Sequence, residues 1–552
     1  MTWRAEDPMG NEAAKVKHLL PRYTRGRGLD LGCGPFKAYP HFIGVDDVTE
    51  YRGWADPRTG AHWRPDVVGD VRDLSMFADG SLDFVFSSHL LEHIDDHEAA
   101  LSEWRRVIRI GGHLVLYLPH REHYPRMGEE GANPDHRHDF VPADIIAAME
   151  TASSAWDLVE CETRSGGTEY SFLMVFRRLA EGSGLQHSHR RPRAAKRLLV
   201  IRYGAFGDLI MASSILPALK AEGWSITLNC SPPGDSILRH DPHIDEFLVQ
   251  DKDQVPNEDL GDYWAALGGE YDRVINLCEA VEGTLLHIPG RRSHALPHAA
   301  RHAISNINYI DMHRMIAGLP AGTTCRPWFY PSGEETAAAL AYREKLLPGP
   351  IVLWSLAGSS VHKLWPYAMD VIGWLLEQTT ARVVVSGDES DQVLAWAIAQ
   401  ALCRKFLDMP EEESHALKLS GCLAALRGHF GHQRLIVRCG GWPIREAMTF
   451  ACTAADVVVG PETGILNAAS MRAVPKVVLL SHSSHENLTR DWLNTIALSS
   501  SECPQSPCHR MHYNFDFCPR DEPTGAALCQ ARITPQSVFD AIGEAMVKAR
   551  AA

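Results

Sequence analysis

Short apolar runs alternate with helix-like segments almost from one end of the chain to the other. GLDLGCG, HFIGVDD, LDFVFSS and GHLVLYLP occur early, and LLVIRY, DRVINL, IVLWSL, RVVVSG, DVVVG and KVVLLS follow. Near-continuous runs of this kind suit strands covered on both faces, and intervening helices are how consecutive parallel strands are connected. The chain is therefore read as α/β, built on parallel sheets. Its 552 residues are enough for about three or four such units.

The alternation breaks once, between Leu179 and the strand LLVIRY, in a stretch with Gly, Pro and clustered bases but no periodicity. Such a stretch reads as a linker, 179–195, its basic cluster a solvated one. A softer break lies where Pro327, Pro331, Pro348 and Pro350 surround one helix-like segment. The expected units are 1–178, 196–335 and 336–552.

Charge removes some function classes. With 54 basic and 69 acidic residues the formal net charge is −15, which repels phosphate backbones and argues against nucleic acid as main partner. No apolar run approaches the 18 or more residues of a membrane helix, and the start lacks the apolar core of a signal peptide, so the expectation is a cytoplasmic protein without an integral membrane segment.

In the first unit the strand GRGLDLG runs into Asp30-x-Gly32-x-Gly34. Missing side chains at a strand's carboxyl end let a ligand approach the backbone closely. A dinucleotide fingerprint would need a third glycine where Lys37 stands, which disfavours NAD. The next strand ends in Asp46, placed to accept hydrogen bonds from ribose hydroxyls, and VVGDVRDL puts Asp70 at another strand end. Followed by SLDFVFSSHLLEHI and RVIRIGGHLVLYLP, this ordered set resembles the class I S-adenosylmethionine-dependent methyltransferases over about residues 26–178. The resemblance implies a Rossmann-like domain with S-adenosyl-L-methionine as cofactor, Gly32 and Gly34 facing its methionine part, Asp46 its ribose and Asp70 its adenine amino group. Asp30 is assigned to cofactor binding or to bracing the turn. Gly34 and Asp46 are only twelve apart, which leaves little room for a first helix. Methyl transfer rests mainly on alignment, and an oxygen acceptor also needs a base, for which His93 and His120 are the candidates, with His89 nearby. His93 can equally be a satisfied helix histidine. The His- and Asp-rich stretch Asn133–Asp139 reads as an acceptor-side loop, and no residue is assigned to a metal.

After the linker, LLVIRYGAFGDLIMASSILPALK gives a strand, a turn through Gly204 and Gly207, and a helix opened by Asp208. Asp208 is either an N-cap or a general base at the mouth of the sheet. Lys363 follows strand IVLWSL in HKLWP, Gly387 and Glu389 follow another strand, and Glu462, Thr463, Gly464 and Asn467 sit at a strand-to-helix junction of the kind that binds phosphate. GAFGD…LPALK, HKLWP and GPETGILNAAS…VPKVVLL, in this order, resemble the heptosyltransferase-type glycosyltransferases of family 9 over about residues 196–548. This implies a GT-B module of two Rossmann-like halves, acceptor on the first and nucleotide-diphosphate sugar on the second, with inversion at the anomeric carbon. Asp208 would be the base. Lys363, Thr463 and Gly464 would meet the departing diphosphate, and Gly387, Glu389, Glu462 and Asn467 would complete the donor side. The chain departs from the family in Glu462, where Asp is common, and in Asn467, where His is common; the sugar is left open. The final segment TPQSVFDAIGEAMVKAR is expected to cross back onto the first half.

Thirteen cysteines are present, and the last four follow C-x4-C-x9-C-x10-C. A structural zinc, disulfides and a reduced packing loop all stay open for Cys503, Cys508, Cys518 and Cys529. The function expected is a bifunctional glycan-modifying enzyme, methyltransferase plus glycosyltransferase, acting on a saccharide or glycolipid acceptor. The alternatives are a catalytic glycosyltransferase with a methyltransferase fold kept for binding, and a non-catalytic glycan-binding or assembly protein.

Overall fold

The computed structural model describes residues 11–49, 51–55, 62–152, 155–188, 196–251, 253–278, 292–346, 348–356, 358 and 360–551. The basic cluster of the expected linker, 189–195, lies outside the described residues. Two compact units result, one of the described residues up to 199 and within 248–274, the other of the described residues within 200–247 and 275–551. Among the described residues no helix is long and apolar enough to cross a membrane.

The first unit is built on β1 (Gly28–Leu31), β2 (Ile43–Asp46), β3 (Val67–Val68), β4 (Leu82–Ser88), β5 (Ile108–Pro119), β6 (Trp156–Arg164), β7 (Ser171–Arg178) and β8 (Gln186–His187). Their order in the sheet is β8-β6-β7-β5-β4-β1-β2-β3. Strands β3, β2, β1, β4 and β5 run parallel, and β7 runs antiparallel to both β5 and β6. The strand order reverses between β1 and β4, the point at which open α/β sheets take their ligands. No helix connects β1 to β2, as the short spacing predicts.

Helix α1 (His97–Val107) covers one face of this sheet. Asp96 caps it by accepting from the Ala99 amide at 3.0 Å, and Ala100, Leu101, Trp104 and Val107 form its buried stripe at three- and four-residue spacing. Trp104 is fully buried, with its indole N–H donated to the Val71 carbonyl at 2.8 Å. The polar end of the ring is thus satisfied inside the core.

Farther along, β9 (Arg197–Ile201), β10 (Ser225–Cys230), β11 (Glu246–Val249) and β12 (Arg273–Asn276) form a four-stranded sheet in the order β11-β10-β9-β12. A six-stranded sheet follows from β13 (Ile351–Ser355), β14 (Arg382–Ser386), β15 (Leu435–Val437), β16 (Val457–Pro461), β17 (Lys476–Leu479) and β18 (Thr495–Leu498). Its order is β15-β14-β13-β16-β17-β18, parallel throughout. This is the Rossmann order, with the reversal between β13 and β16. All five residues of β13 and of β16 are buried, which explains their unbroken apolar character.

The last helix corrects one expectation. Pro535–Ala551 packs on the six-stranded sheet rather than returning to the first half, because Val538, Ala541, Ile542 and Ala545 belong to the same core as Val457 and Val477. Its apolar stripe is used up there.

Candidate functional sites

In the first unit the predicted residues gather at the carboxyl ends of β1 and β2. Gly32 (φ +66°) and Gly34 (φ +53°) take left-handed conformations that favour glycine. The Gly34 amide donates to an Asp46 carboxylate oxygen at 3.0 Å, and the other oxygen accepts from Val48 at 3.2 Å. A β-carbon added at Gly34 would meet nothing within 4 Å, so the side chain missing there leaves open space beside Asp46. Asp30 is buried and accepts from the Ala38 amide at 2.7 Å, which pins the turn; burial raises its carboxyl to about 7. The Asp70 carboxylate is engaged by Arg72, whose Nε and Nη2 donate to it at 2.7–3.0 Å. Those bonds hold its carboxyl below the usual range.

The histidines follow β4 and β5. His120 is buried beside the ring of His123, at 4.8 Å between centroids, and accepts from the Glu122 amide at 3.1 Å; burial lowers its ring. His93 sits one residue from Glu92, a fully buried carboxylate that the sequence reading passed over. His136 comes to the same place, so one residue of the His- and Asp-rich stretch does converge with His93.

In the second unit the motifs meet in one cleft of about 490 Å³ at the carboxyl ends of β13, β14 and β16, the point where the strand order reverses. Asp208, Lys363, Gly387, Glu462, Thr463, Gly464 and Asn467 all line it. Glu389 is not among the lining residues; the carboxylates of that loop facing the cleft are Asp388 and Asp391. Asp388 turns back to accept from the Ser390 amide and hydroxyl at 2.8 and 2.5 Å, a local turn bond that residue order alone does not reveal. Trp442, His482, Ser483 and Met511 also line the cleft and carry no motif signal.

Asp208 is the third residue of helix α2 (Phe206–Ala212) and Ala205 is the N-cap, so the N-cap expectation is corrected by three residues, less than one turn: the Asp208 carboxylate reaches back to accept from the Ala205 amide at 3.3 Å. The guanidinium of Arg202, fully buried, lies 3.5 Å from the same oxygen. Helix α3 (Gly464–Ala469) meets α2 where both lack side chains. A β-carbon on Gly464 would fall 2.9 Å from Cβ of Phe206, and one on Gly207 would fall 2.7 Å from Nδ2 of Asn467. Thr463 shares a hydrogen bond with Ser355 at 3.0 Å, tying the ends of β16 and β13 together.

Glu462 is engaged from several sides. It accepts from the Ser481 amide at 2.8 Å and the Ser483 amide at 3.2 Å, and pairs with His482. Burial works to raise its carboxyl, but the charge and hydrogen bond of His482, with Lys363 and the Ser481 amide, outweigh it and hold it at about 2. Its place is that of a positioning group for the loop after β17.

The four terminal cysteines are free thiols and line one small chamber with His362 and His512. Cys508 Sγ lies 3.5 Å from Nε2 of His512.

Residues 29–116, from β1 into β5, match the family model described as a methyltransferase domain. The first unit carries a methyltransferase domain. Among curated proteins, the chain is 33% identical over 144 residues to an uncharacterized 37.1 kDa protein in transposon TN4556 of Streptomyces fradiae, covering 23% of this chain and 41% of that one. It is 28% identical over 171 residues to a probable S-adenosylmethionine-dependent methyltransferase of Mycolicibacterium smegmatis, covering 28% of this chain and 65% of that one. The chain thus spans less than two thirds of the length of either relative. Among solved structures, a glycosyl transferase of family 9 from Veillonella parvula aligns with a TM-score of 0.45 at 15% identity, over 65% of this chain and 99% of that one.

Proposed function

We propose that the chain is a bifunctional transferase, methylating through its first unit and transferring a sugar from a nucleotide diphosphate through its second, both on a saccharide or glycolipid acceptor. The observation that carries the second activity is the meeting of Asp208, Lys363 and Thr463, from three separated motifs, in one cleft at the strand reversal. Ligands of open α/β sheets bind at such reversals.

In that cleft Asp208 takes the proton of the acceptor hydroxyl while the new oxygen–carbon bond forms and the bond from the anomeric carbon to the diphosphate breaks. Arg202, buried behind it, sets a positive charge 3.5 Å from one oxygen of that carboxylate. Lys363 and the Thr463 hydroxyl meet charge growing on the departing diphosphate, help that is strongest in the transition state. Asp388 and Asp391 are the carboxylates available to donor hydroxyls on the β14 side.

In the first unit the residues fit S-adenosylmethionine at its ribose end. Asp46 would take the ribose hydroxyls, and the space that a Gly34 side chain would fill stays open for the cofactor. When bound, the cofactor supplies an electrophilic methyl group. The protein's part is to hold the acceptor in line, with His120 as the neighbouring base.

A second reading, with the first unit binding but not methylating, is favoured by one observation: the Asp70 carboxylate is engaged by Arg72 rather than left for an adenine amino group. Product analysis separates the two. Radiolabelled methyl incorporated into the glycan acceptor by the wild type, and lost in Asp46→Ala, supports the bifunctional reading; sugar transfer without methyl incorporation supports the other.

A further inference from the structure

The Glu92 side chain is completely buried, and among the described residues neither carboxylate oxygen has a hydrogen-bond partner. A carboxylate taken out of water without donors is strongly disfavoured. What surrounds it is imidazole. Nε2 of His93 and Nε2 of His136 each lie 4.0 Å from the same oxygen, and Nδ1 of His89 lies 3.8 Å away. One ligand atom from each of Glu92, His93 and His136 falls within 4.8 Å of the others.

The outer bonds of these rings aim them. Nδ1 of His93 is 3.1 Å from the Asp135 carbonyl, so it carries the proton and leaves the Nε2 lone pair directed toward Glu92. The Glu92 carbonyl accepts from the Arg137 and His138 amides at 2.7 and 3.1 Å, which fastens the loop bearing His136 beside the carboxylate. Such second bonds fix the tautomer and orientation of a metal-bound histidine.

We propose that Glu92, His93 and His136 hold a divalent transition-metal ion, with His89 as a third nitrogen at its edge. Two imidazoles and one carboxylate suit zinc, iron(II) or cobalt(II), whereas magnesium and calcium prefer oxygen-only sets. A cation there neutralises the orphaned carboxylate, and His93, 28% exposed at its side chain, leaves the ion reachable from solvent. The assignment does not rest on methyl transfer.

Cobalt(II) tests it in the full chain, because its absorption separates nitrogen and oxygen ligands from thiolates such as those of the cysteine chamber. The expected result is one equivalent bound with visible bands and no thiolate charge transfer, retained in Cys508→Ser. In His136→Gln and in Glu92→Gln its affinity should fall by at least about 10-fold, the low end of what losing even an outer-shell partner costs. Circular dichroism checks that each variant is folded. The proposal is overturned when the folded wild type shows no such band, when only thiolate-type absorption appears, or when both folded variants bind cobalt as the wild type does.

Discussion

Asn467 stands so close to Gly207 that a β-carbon on the glycine would lie 2.7 Å from the amide nitrogen of the asparagine. The contact joins helices α2 and α3, which bring Asp208 and Thr463 to one cleft. Gly207→Ala should therefore destabilise the protein by about 1–3 kcal/mol through overpacking. Asn467→Ala removes the obstructing amide, and the double variant should recover most of the loss. Denaturant midpoints of the four proteins check this; an additive double variant contradicts the contact.

Asp208→Asn keeps an oxygen for the Ala205 amide but removes the base. Sugar transfer should drop by about 10²–10⁴-fold, the usual worth of a positioned general base, in a variant that circular dichroism shows to be folded. Single-turnover kinetics on a competent donor and acceptor pair reads it. A loss confined to KM would instead assign Asp208 to acceptor binding.

Two buried carboxylates should give opposite pH trends. Glu462, held at about 2, is depressed in the folded protein, so its stabilising contribution is present above the ordinary carboxylate range and is lost as pH falls from about 4.5 toward 2. Asp30, raised to about 7, binds protons more tightly when folded, so stability is lost as pH rises from about 4 to 7. Unfolding of Asp30→Asn should show a flatter profile over that second interval, whereas Glu462→Gln should flatten the acid side. An unchanged profile in Asp30→Asn contradicts the burial argument.

Gly34→Ala tests the open space beside Asp46. The left-handed backbone makes a side chain cost about 1 kcal/mol. Within the proposed site the methyl group also occupies cofactor space, so affinity for S-adenosylhomocysteine should fall more than stability does. Titration calorimetry beside thermal unfolding distinguishes the two effects.

Much of this architecture was legible in local pattern. The unbroken apolar runs at β13 and β16 read as buried parallel strands because their periodicity and burial coincide. Gly32 and Gly34 were legible as turn positions, and both take left-handed backbone, since the physics of a missing side chain is local. Convergence across long separations was not legible. Glu92 and His136 are joined by loop hydrogen bonds with no sequence period, and Asp388 displaces Glu389 at the cleft through an Asx-type turn bond. The terminal helix was misplaced because its amphipathic stripe says that it packs, but not against which sheet.

The central claim is that one chain carries a nucleoside site of the methyltransferase type and a separate nucleotide-sugar site. Thermal unfolding of the full chain with S-adenosylhomocysteine, with a panel of nucleotide-diphosphate sugars, and with both tests it most directly. A ligand at 100 times its dissociation constant stabilises by about 2.7 kcal/mol, ample for a visible shift. The account predicts a shift from each class and a further shift when both are present. No shift from either, or competition between the two for a single site, would contradict it.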